Sequence, residues 1–533
     1  MTMNTVAIRA LSLVLAFACT CVAQNWRTEV VRECGIQFDA PSRLERLPMK
    51  LGSADRYRRA RLRPKDVGDL IKGQYAWYCD VYCFPKKARG KQSFGEWLSG
   101  QKGVEVLTEG KQRKGRGGRL PYRHWVYVVD GTRGLVNLTY CEAAVYEFDD
   151  REVALVIEMP LEKRKPKKPK SKWASLIKRM IRSGKACAEV GDDEEDRKRD
   201  RYADSPERRQ ALARAKANID GLQGWDYFTQ PNYIVLYSWD FEKPAERAKA
   251  RRQAKFYSER LEKMRALYME LYPLDATGSR AVMPDPGTIP GRGGPITGAP
   301  ASAGAAEASE TGRRPYSVFR LCATYEQFRK YGQSPPGVVG WYSPASKELV
   351  VFLGGDRMMG KGATETVTYH EGWHQYADFY FHPPGEKRHA TLHRWFDEGH
   401  GDYFGSFRWG TGGWRYVGSK MRYQSCQKMV RDGDYVPFRD IVRWDRRRFY
   451  GRNAPYYYAQ AFSMIDFLRR GQDSRGFEPR WAKILDDYRK VVLVEGDAEL
   501  AVETAFRGFG DDDYRRLEKA WKAWVASSRF KKG

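Results

Sequence analysis

The sequence predicts an α+β protein: an N-terminal domain with an antiparallel sheet, followed by a domain that has a small sheet and a mainly helical C-terminal lobe. Three observations support this class. Short β-like runs alternate over residues 24–190 and end on one helical segment. A strand and a long helix with a continuous apolar stripe follow from residue 224 onwards. Beyond about residue 354, the hydrophobic pattern is mainly helical.

The composition fits a folded chain with several domains. Its 533 residues correspond to about two to four domains of ordinary size. Hydrophobic residues make up 42% of the chain and aromatic residues 14%, which excludes a wholly disordered protein. The formal net charge of +27 implies attraction to anionic surfaces, although it says nothing about the fold.

Residues 1–23 have the parts of a secretory signal peptide. Arg9 precedes a short apolar run over residues 10–18, and small residues lead to a cleavage site expected near Ala23. No later stretch of about 18 apolar residues occurs, so no transmembrane segment is expected after cleavage. The sequence therefore predicts an exported protein, either periplasmic or extracellular.

Seven cysteines remain after the predicted cleavage. An oxidising compartment permits disulfides, but the odd number leaves at least one thiol outside any intramolecular pair, and the sequence does not reveal the pairing. One pair is excluded. Cys79 and Cys83 lie in one alternating strand, where their Cα atoms are roughly 13 Å apart and beyond the reach of a disulfide.

Residues 24–190 are predicted to form an α+β domain of unknown role. Its β-like runs and closing helix are Tyr75 to Phe84, His124 to Val129, Gly134 to Cys141, Val153 to Met159 and Trp173 to Ser183. The domain contains no evident catalytic set. A basic run over residues 163–172 precedes the helix; it is either a solvated loop or a contact site for an anionic polymer of the cell envelope.

Residues 191–223 are predicted to be a linker and a helix, with Ser205 as the N-cap and Pro206 as the first helical residue. A strand then follows at Tyr233 to Tyr237. The segment from Pro244 to Tyr272 is predicted to be a long helix with one packing face. The apolar residues of that face are Ala250, Ala254, Tyr257, Leu261, Met264, Tyr268 and Leu271.

Residues 281–312 are expected to form a disordered insertion. Of these 32 residues, 24 are Gly, Pro, Ala, Ser or Thr, a composition that cannot bury enough apolar area to offset the loss of chain entropy. Strands of the same domain are predicted to resume afterwards, at residues 316–321, 337–342 and 348–353.

Two histidines four residues apart provide the clearest functional signal. On a helix, His370 and His374 project from one face, where both imidazoles can bind one cation. Glu371 completes the HExxH arrangement, in which the glutamate does not bind metal but takes a proton from the attacking water. The pattern predicts Zn²⁺ as the cofactor.

A catalytic zinc site usually has three protein ligands, so a third is needed. Glu398 follows His374 by 24 positions, after enough chain to bring a second helix beside the first, and it is the predicted third ligand. Asp402, one helical turn later, is predicted to accept the N–H of a ligand histidine and thereby fix the orientation of its ring.

These residues resemble the pattern of the gluzincin zinc metallopeptidases, in which HExxH is followed by a glutamate ligand and an acidic residue four positions later. The chain is especially similar to a bacterial domain family of unknown function that has a gluzincin core. The resemblance covers roughly residues 224–525. The predicted zinc peptidase domain comprises residues 224–533. It implies a metal between two helices but supplies no substrate. The insertion at 281–312 departs from a compact core, and the N-terminal domain lies outside the resemblance.

Four further histidines cluster near the motif: His382, His389, His393 and His400. Each is an alternative ligand, but loop and helix-surface histidines near a site are more often solvated or bound to other protein groups. His400 would replace Glu398 only if the second helix were rotated by half a turn.

Peptide hydrolysis also requires a donor for the developing oxyanion. The run of three tyrosines at 456–458 opens a predicted helix, and Tyr457 is the predicted donor. The alternative interpretation is that all three tyrosines pack at the start of the helix.

The leading hypothesis is an exported zinc metallopeptidase that hydrolyses a peptide or protein substrate. The alternative is a catalytically weak or inactive zinc-containing binding module of the cell envelope. The presence of Glu371 argues against that alternative, because a purely structural zinc site needs no base. Nucleic acid is not an expected partner, since no zinc finger, helix-turn-helix or aromatic RNA-binding motif accompanies the positive charge.

Overall fold

A computed structural model describes residues 25–49, 57–65, 70–71, 75–86, 92–130, 138–161, 169, 171–188, 202, 206–273, 317–332, 334, 337–382 and 391–531. The chain divides into two compact units. The first comprises Met1–Met49, Ser53–Gly191 and Ala217–Leu222, and the second comprises Lys50–Gly52, Asp192–Lys216 and Gln223–Gly533, each taken over its described residues. Sheets and helices both occur, which confirms the predicted α+β class.

The first unit consists mainly of strands. These are β1 (Trp26–Val31), β2 (Ile36–Pro41), β3 (Leu44–Leu47), β4 (Arg58–Pro64), β5 (Leu70–Ile71), β6 (Tyr75–Ala76), β7 (Tyr78–Pro85), β8 (Val104–Arg113), β9 (Tyr122–Val129), β10 (Thr139–Glu147), β11 (Arg151–Pro160) and β12 (Lys185–Ala186). A 3₁₀ turn at Arg32–Cys34 and two helices, α1 (Phe94–Ser99) and α2 (Ser171–Arg182), complete its described elements.

Seven of these strands form an antiparallel sheet in the order β3-β4-β7-β11-β10-β9-β8. Successive side chains of a strand point to opposite faces, so the central strands contribute to two cores. On one face Ile177 and Met180 of α2 pack with sheet residues such as Leu155. On the other face Phe94 of α1 packs with residues such as Val156. Strands β1, β2 and β12 form a separate three-stranded sheet.

The second unit contains strands β13 (Trp225–Thr229), β14 (Tyr233–Ser238), β15 (Ser317–Cys322), β16 (Gly340–Ser343), β17 (Glu348–Phe352), β18 (Phe407–Gly410) and β19 (Gly413–Tyr416). Helix α3 (Pro206–Ile219) crosses the chain division at Ala217. The helices that follow are α4 (Glu246–Leu271), α5 (Tyr325–Gly332), α6 (Gly355–Met359), α7 (Ala363–Phe381), α8 (Arg394–Gly405), α9 (Lys420–Asp432), α10 (Phe438–Ile441), α11 (Arg446–Phe449), α12 (Ala454–Arg470), α13 (Ile484–Glu495), α14 (Ala498–Ala505), α15 (Asp511–Ala526) and α16 (Ser528–Lys531). A 3₁₀ turn at Pro479–Lys483 precedes α13.

The sheet of the second unit has the strand order β13-β14-β15-β17-β16. Strands β14, β15 and β17 are parallel, whereas the two edge strands pair antiparallel to their neighbours. Helix α4 packs on the sheet through Ala250, Ala254 and Leu261, which lie in one cluster with Val235 and Phe319. The apolar stripe predicted along this helix is therefore confirmed as its packing face.

Helix α7 lies between the sheet and the helical lobe. It contacts α4, β16, β17 and α8, and α8 in turn packs against α12. Every residue of α8 after Arg394 is buried, which is unusual for a segment with three acidic side chains. The indole N–H of Trp373 on α7 donates to the backbone carbonyl of Asp397 on α8, at 3.1 Å. This hydrogen bond ties the two helices together beside the candidate site.

Most predicted elements are confirmed to within a few residues. The segments predicted around β7, β9, β11, α2, α3, β14, α4, β15, β16 and β17 all form. The strand predicted at Gly134 to Cys141 overlaps β10 at residues 139–141, and β10 continues to Glu147; residues 134–137 lie outside the described residues. The sequence did not reveal a further set of strands, most of which are short or mostly polar in pattern: β1, β2, β3, β4, β5, β8, β12, β13, β18 and β19.

Several predictions fall outside the described residues. These are the signal peptide at 1–23, the linker at 191–201, the insertion at 281–312 and most of the basic run at 163–172. Cys79 and Cys83, excluded as a pair from the sequence, are both free thiols on β7. In the part of the chain that the structure describes, no helix combines the length and hydropathy needed to cross a membrane.

Candidate metal centre

Three of the predicted site residues meet where α7 faces α8. The Nε2 atoms of His370 and His374 are 3.1 Å apart, and Oε2 of Glu398 lies 3.1 Å from the first and 3.3 Å from the second. Their candidate ligand atoms all lie within 4.8 Å of one another. This group, the His/His/Glu group, could hold a metal ion.

The helical repeat explains the positions of the two histidines. Residues four apart on a helix lie one above the other on the same face, so α7 presents both imidazoles to α8. The third donor depends on how closely α8 approaches. A Cβ on Gly401 would lie 2.8 Å from Cε1 of His370 and 2.9 Å from both ring nitrogens. Only glycine leaves room for the imidazole at this position.

Each histidine is held from its far side by a carboxylate. Nδ1 of His370 lies 3.2 Å from Oδ1 of Asp402, the residue predicted to orient a ligand histidine. Nδ1 of His374 lies 2.8 Å from Oδ1 of Asp397. Such contacts fix the tautomer and the direction of a ring that binds metal through its other nitrogen. In both histidines Nε2 is therefore the atom directed toward Glu398.

Arginines hold these two carboxylates in turn. Nη1 of Arg394 donates to Oδ2 of Asp397 at 2.6 Å, and Nε of Arg422 lies 2.7 Å from Oδ2 of Asp402. Sequence analysis missed Asp397 and both arginines. The spacing of three between Arg394 and Asp397 on one helix was a readable signal. Arg422 comes from α9, so no local pattern pointed to it.

The charges of the group reinforce one another. Burial would lower the pKa of His370, but hydrogen bonds to Asp402 and Glu398 outweigh it and raise that pKa to about 9. Burial also opposes charge on His374, yet the carboxylates of Asp397 and Glu398 raise its pKa well above the usual value. Burial would raise the pKa of Glu398, but His374 and His370 hold it well below its ordinary range. The site therefore favours positive charge at its centre.

Glu371 lies on α7 next to the group but does not share its contacts. Its Oε2 accepts the backbone N–H of Tyr342 on the edge strand β16, at 2.9 Å. Burial raises the pKa of this carboxyl and outweighs the lowering effect of His370 and His374. A glutamate with a raised pKa is better matched to proton transfer near neutral pH than an ordinary one. Its role as a base stays a prediction.

Two tyrosines reach the His/His/Glu group. The Tyr450 hydroxyl, from the end of α11, donates to Oε1 of Glu398. The centroid of the Tyr458 ring, on α12, lies 6.4 Å from the centroid of the His370 ring. Burial and the nearby charge of Glu398 raise the pKa of both phenols, so both keep their protons at neutral pH. Sequence analysis missed Tyr450, because it lies in a loop without a periodic pattern.

Tyr457, the predicted oxyanion donor, contacts other residues. Its ring packs edge-on against Trp444 with centroids 4.9 Å apart, and it also lies near Phe449. These contacts belong to the main core of the second unit. The structure therefore shows Tyr457 in packing contacts and brings its neighbour Tyr458 toward the histidines.

His400 is buried on the other side of α8. Its Nδ1 lies 2.7 Å from the carbonyl oxygen of Phe396, and its Nε2 lies 2.7 Å from the Tyr272 hydroxyl and 3.0 Å from Nη2 of Arg469. Burial and the charge of Arg469 lower the pKa of this ring well below its usual value. His400 is thus a neutral histidine whose nitrogens are both engaged in the core.

The other nearby histidines also have protein partners. Nδ1 of His382 lies 3.2 Å from Oδ1 of Asp378, and Nε2 of His393 lies 3.0 Å from Oε1 of Glu499. Burial lowers the pKa of His393. His389 lies outside the described residues.

Comparisons with known proteins add little to this geometry. No protein-family model matches the chain, and no curated protein is similar to it. One solved structure that aligns is a crystal structure from Bacteroides thetaiotaomicron VPI-5482 at 1.50 Å resolution. The alignment has 10% identity and a TM-score of 0.20, and covers 40% of this chain and 87% of that one. A likeness this remote carries no argument about fold or function.

Replacing Gly401 by Ala should weaken metal binding while leaving the fold intact. The added methyl group would press on the His370 ring, at 2.8 Å from Cε1, and turn its nitrogen away from Glu398. We expect the dissociation constant for zinc to rise roughly tenfold or more, measured by chelator competition. Gly412→Ala is the matched control, because a Cβ there meets nothing within 4 Å. Equal affinities in the two variants would contradict the close-approach argument.

Metal affinity should rise with pH between 6 and 9, because the pKa values of both ligand imidazoles are raised. The pKa of His370 is raised to about 9, so below that pH a proton must leave the ring before the nitrogen can bind metal. Zinc affinity measured between pH 6 and 9 should therefore increase along that range. In Asp402→Asn the His370 ring loses a carboxylate that raises its pKa, so affinity should depend less steeply on pH over this range. A profile that is flat above pH 7 in the unmodified protein would contradict this.

Proposed function

We propose that the chain is an exported zinc-dependent peptidase that hydrolyses peptide bonds. The observation that carries the proposal is the position of Glu371. Its carboxylate is half-buried beside the His/His/Glu group, on the same helix as the two histidines, without sharing in that group. A metal site with a purely structural role has no use for an adjacent carboxylate with a raised pKa. The resemblance of the HExxH and Glu398 pattern to gluzincins supports the same function.

The donor set fits zinc. Two imidazole nitrogens and one carboxylate oxygen, each with a protein partner behind it, are the ligands of many catalytic zinc sites, which leave a further position open. When bound, zinc would act as a Lewis acid that polarises the peptide carbonyl and lowers the pKa of a water molecule. His370, His374 and Glu398 would hold the ion.

The remaining steps fall to the residues of this chain. Glu371 accepts the proton of the attacking water and passes it to the departing amine, since a carboxyl with a raised pKa can do both near neutral pH. The backbone N–H of Tyr342 holds Oε2 of this carboxylate, which leaves Oε1 for the water. Asp402 and Asp397 keep the two imidazoles in place while this happens.

A protonated phenol is available to stabilise the oxyanion. Tyr458 lies near His370, and the Arg422 guanidinium lies over its ring at 5.0 Å from the centroid. Tyr450 is already bonded to Glu398, so its first role is to hold that ligand. Of the three tyrosines considered, we therefore favour Tyr458 as the oxyanion donor, in place of Tyr457.

The cellular setting of the proposal comes from the sequence alone. Export rests on the signal-like residues 1–23, and contact of the first unit with an anionic envelope polymer rests on the basic run at 163–172. The substrate would be a peptide or protein outside the cytoplasm.

Glu371→Gln should separate metal binding from chemistry. The amide keeps the shape of the side chain but cannot take a proton, so zinc content should stay at one per chain while kcat on short peptides of mixed sequence falls by about a hundredfold or more. Glu365→Gln, on the same helix, is the control for loss of a carboxylate and should keep both properties. Glu398→Ala should lose zinc in the same chelator titration.

The outcomes of that experiment distinguish the two hypotheses. Equal turnover by Glu371→Gln and the unmodified protein would refute the role of Glu371. If the zinc-loaded proteins were both inactive on peptides and on an unfolded protein, the zinc-containing binding module would be favoured. A Glu398→Ala protein that stays fully loaded at micromolar chelator would show that the third ligand is misassigned.

Among the tyrosines, Tyr458→Phe should lower kcat by about a hundredfold without changing zinc content, because loss of one oxyanion donor has roughly that effect. Tyr450→Phe should instead weaken zinc binding, since its hydroxyl holds Glu398. Tyr457→Phe is the matched comparison from the same helix turn. A loss of rate in Tyr457→Phe but not in Tyr458→Phe would restore the assignment made from the sequence.

A further inference from the structure

Two cysteine thiols meet inside the first unit. Cys34 ends the 3₁₀ turn after β1, and Cys83 lies near the end of the interior strand β7. Their side chains are hydrogen-bonded to each other and belong to one apolar cluster. Cys34 is fully buried, whereas 7% of the Cys83 surface is exposed. These thiols take no part in the candidate metal centre, which is in the second unit.

The surroundings make the two thiols unequal. Burial raises the pKa of Cys34 well above its usual value. The hydrogen bond from Cys34 lowers the pKa of Cys83, and it outweighs the opposing effect of burial with help from the guanidinium groups of Arg59 and Arg151. Arg59 is itself held near this place by Glu33, at 3.0 Å. Cys83 is therefore the thiol that more easily becomes the thiolate, and the thiolate is the form that attacks disulfides.

We propose that Cys34 and Cys83 form a reversible disulfide that fastens the turn after β1 to strand β7, an interior strand of the seven-stranded sheet. Two other partners for Cys83 are less favourable within the described residues. Cys79 shares a strand with Cys83, and strand geometry keeps those two apart. Cys141 lies in the cluster on the opposite face of the sheet.

The reaction balances with a small-molecule disulfide as the oxidant. The Cys83 thiolate attacks one sulfur of the oxidant, forms a mixed disulfide and releases the first thiolate. Cys34 then loses its proton and attacks the Cys83 sulfur, which releases the second thiolate. Two protein thiols lose two electrons in total, and the oxidant becomes two thiols. Because both cysteines are buried, the exchange occurs while the domain folds or during local opening.

The bond would matter for stability, because it closes a loop of about 50 residues and restricts the unfolded chain accordingly. It would join the turn after β1, in the three-stranded part of the unit, to β7 of the seven-stranded sheet. In a reducing solution the same contact would remain a hydrogen-bonded dithiol. The two states would differ in stability but not in fold.

The test is to refold the full-length protein in a mixture of oxidised and reduced glutathione, trap free thiols under denaturing conditions and map the peptides by mass spectrometry. Trypsin would place Cys34 in the peptide 33–43, and Cys79 together with Cys83 in the peptide 73–86. We expect a cross-link between these two peptides that persists in Cys79→Ala and disappears in Cys83→Ala. The thermal midpoint of the oxidised protein should exceed that of the reduced protein by roughly 5 °C or more.

Cys141→Ser serves as a second control and should retain both the cross-link and the thermal shift. The proposal is overturned if every thiol is trapped after oxidative refolding. It is also overturned if the cross-link persists in Cys83→Ala, or if it joins other cysteines. The mapping on the unmodified protein decides the matter even where a variant fails to fold.

Discussion

The candidate centre depends on the close approach of two helices. Helix α7 presents both histidines on one face because they are four residues apart. The third donor of the His/His/Glu group must come from another helix. Helix α8 can provide it because Gly401 leaves room for the His370 ring. On its other side α8 approaches α12 equally closely, where a Cβ on Gly399 would lie 2.8 Å from the backbone oxygen of Ala461. Small residues on both faces let α8 lie inside the lobe.

Burying α8 brings its acidic side chains out of water, and that requires compensation. An isolated buried carboxylate is strongly unfavourable, so each one must be paired and hydrogen-bonded. Asp397 and Asp402 each face a histidine on one side and an arginine on the other, and Glu398 lies between both histidines. The alternation of charges that allows the helix to be buried is the same one that orients the imidazoles. Structural and functional needs coincide in these residues.

Much of the site could be predicted because its information is local. The spacing of His370 and His374 determines a shared helix face, and the position of Glu398 and Asp402 one turn apart on the next helix determines a second face. Tyr450 and Arg422 come from other segments, and their proximity follows from tertiary packing that no periodic pattern records. The tyrosine run shows the limit of such prediction. Successive side chains on a helix, such as those of Tyr457 and Tyr458, point about 100° apart. Only the packing of α12 decides which of the two faces the His/His/Glu group.

The same reasoning explains which parts of the fold were predicted. Strands with near-continuous apolar runs, such as β14 and β17, and the striped helix α4 carry their burial in their own sequence. Strand β8, with Val104 at its start, is largely exposed along its length and so has no apolar alternation to detect. It forms because β9 offers a free edge. The contact between Cys34 and Cys83 likewise joins a turn to a distant strand, and no local spacing could have indicated it.

The carboxylates of the site favour positive charge at its centre, whether a proton or a metal ion carries it. Asp402 and Glu398 raise the pKa of His370, and the carboxylates of Asp397 and Glu398 raise the pKa of His374. A cation that binds the Nε2 atoms has to displace protons from these rings. The carboxylates that orient the imidazoles therefore also determine the pH range in which a metal ion competes with protons. Proton binding and metal binding depend on one arrangement of charges, in which arginines hold the two aspartates in place.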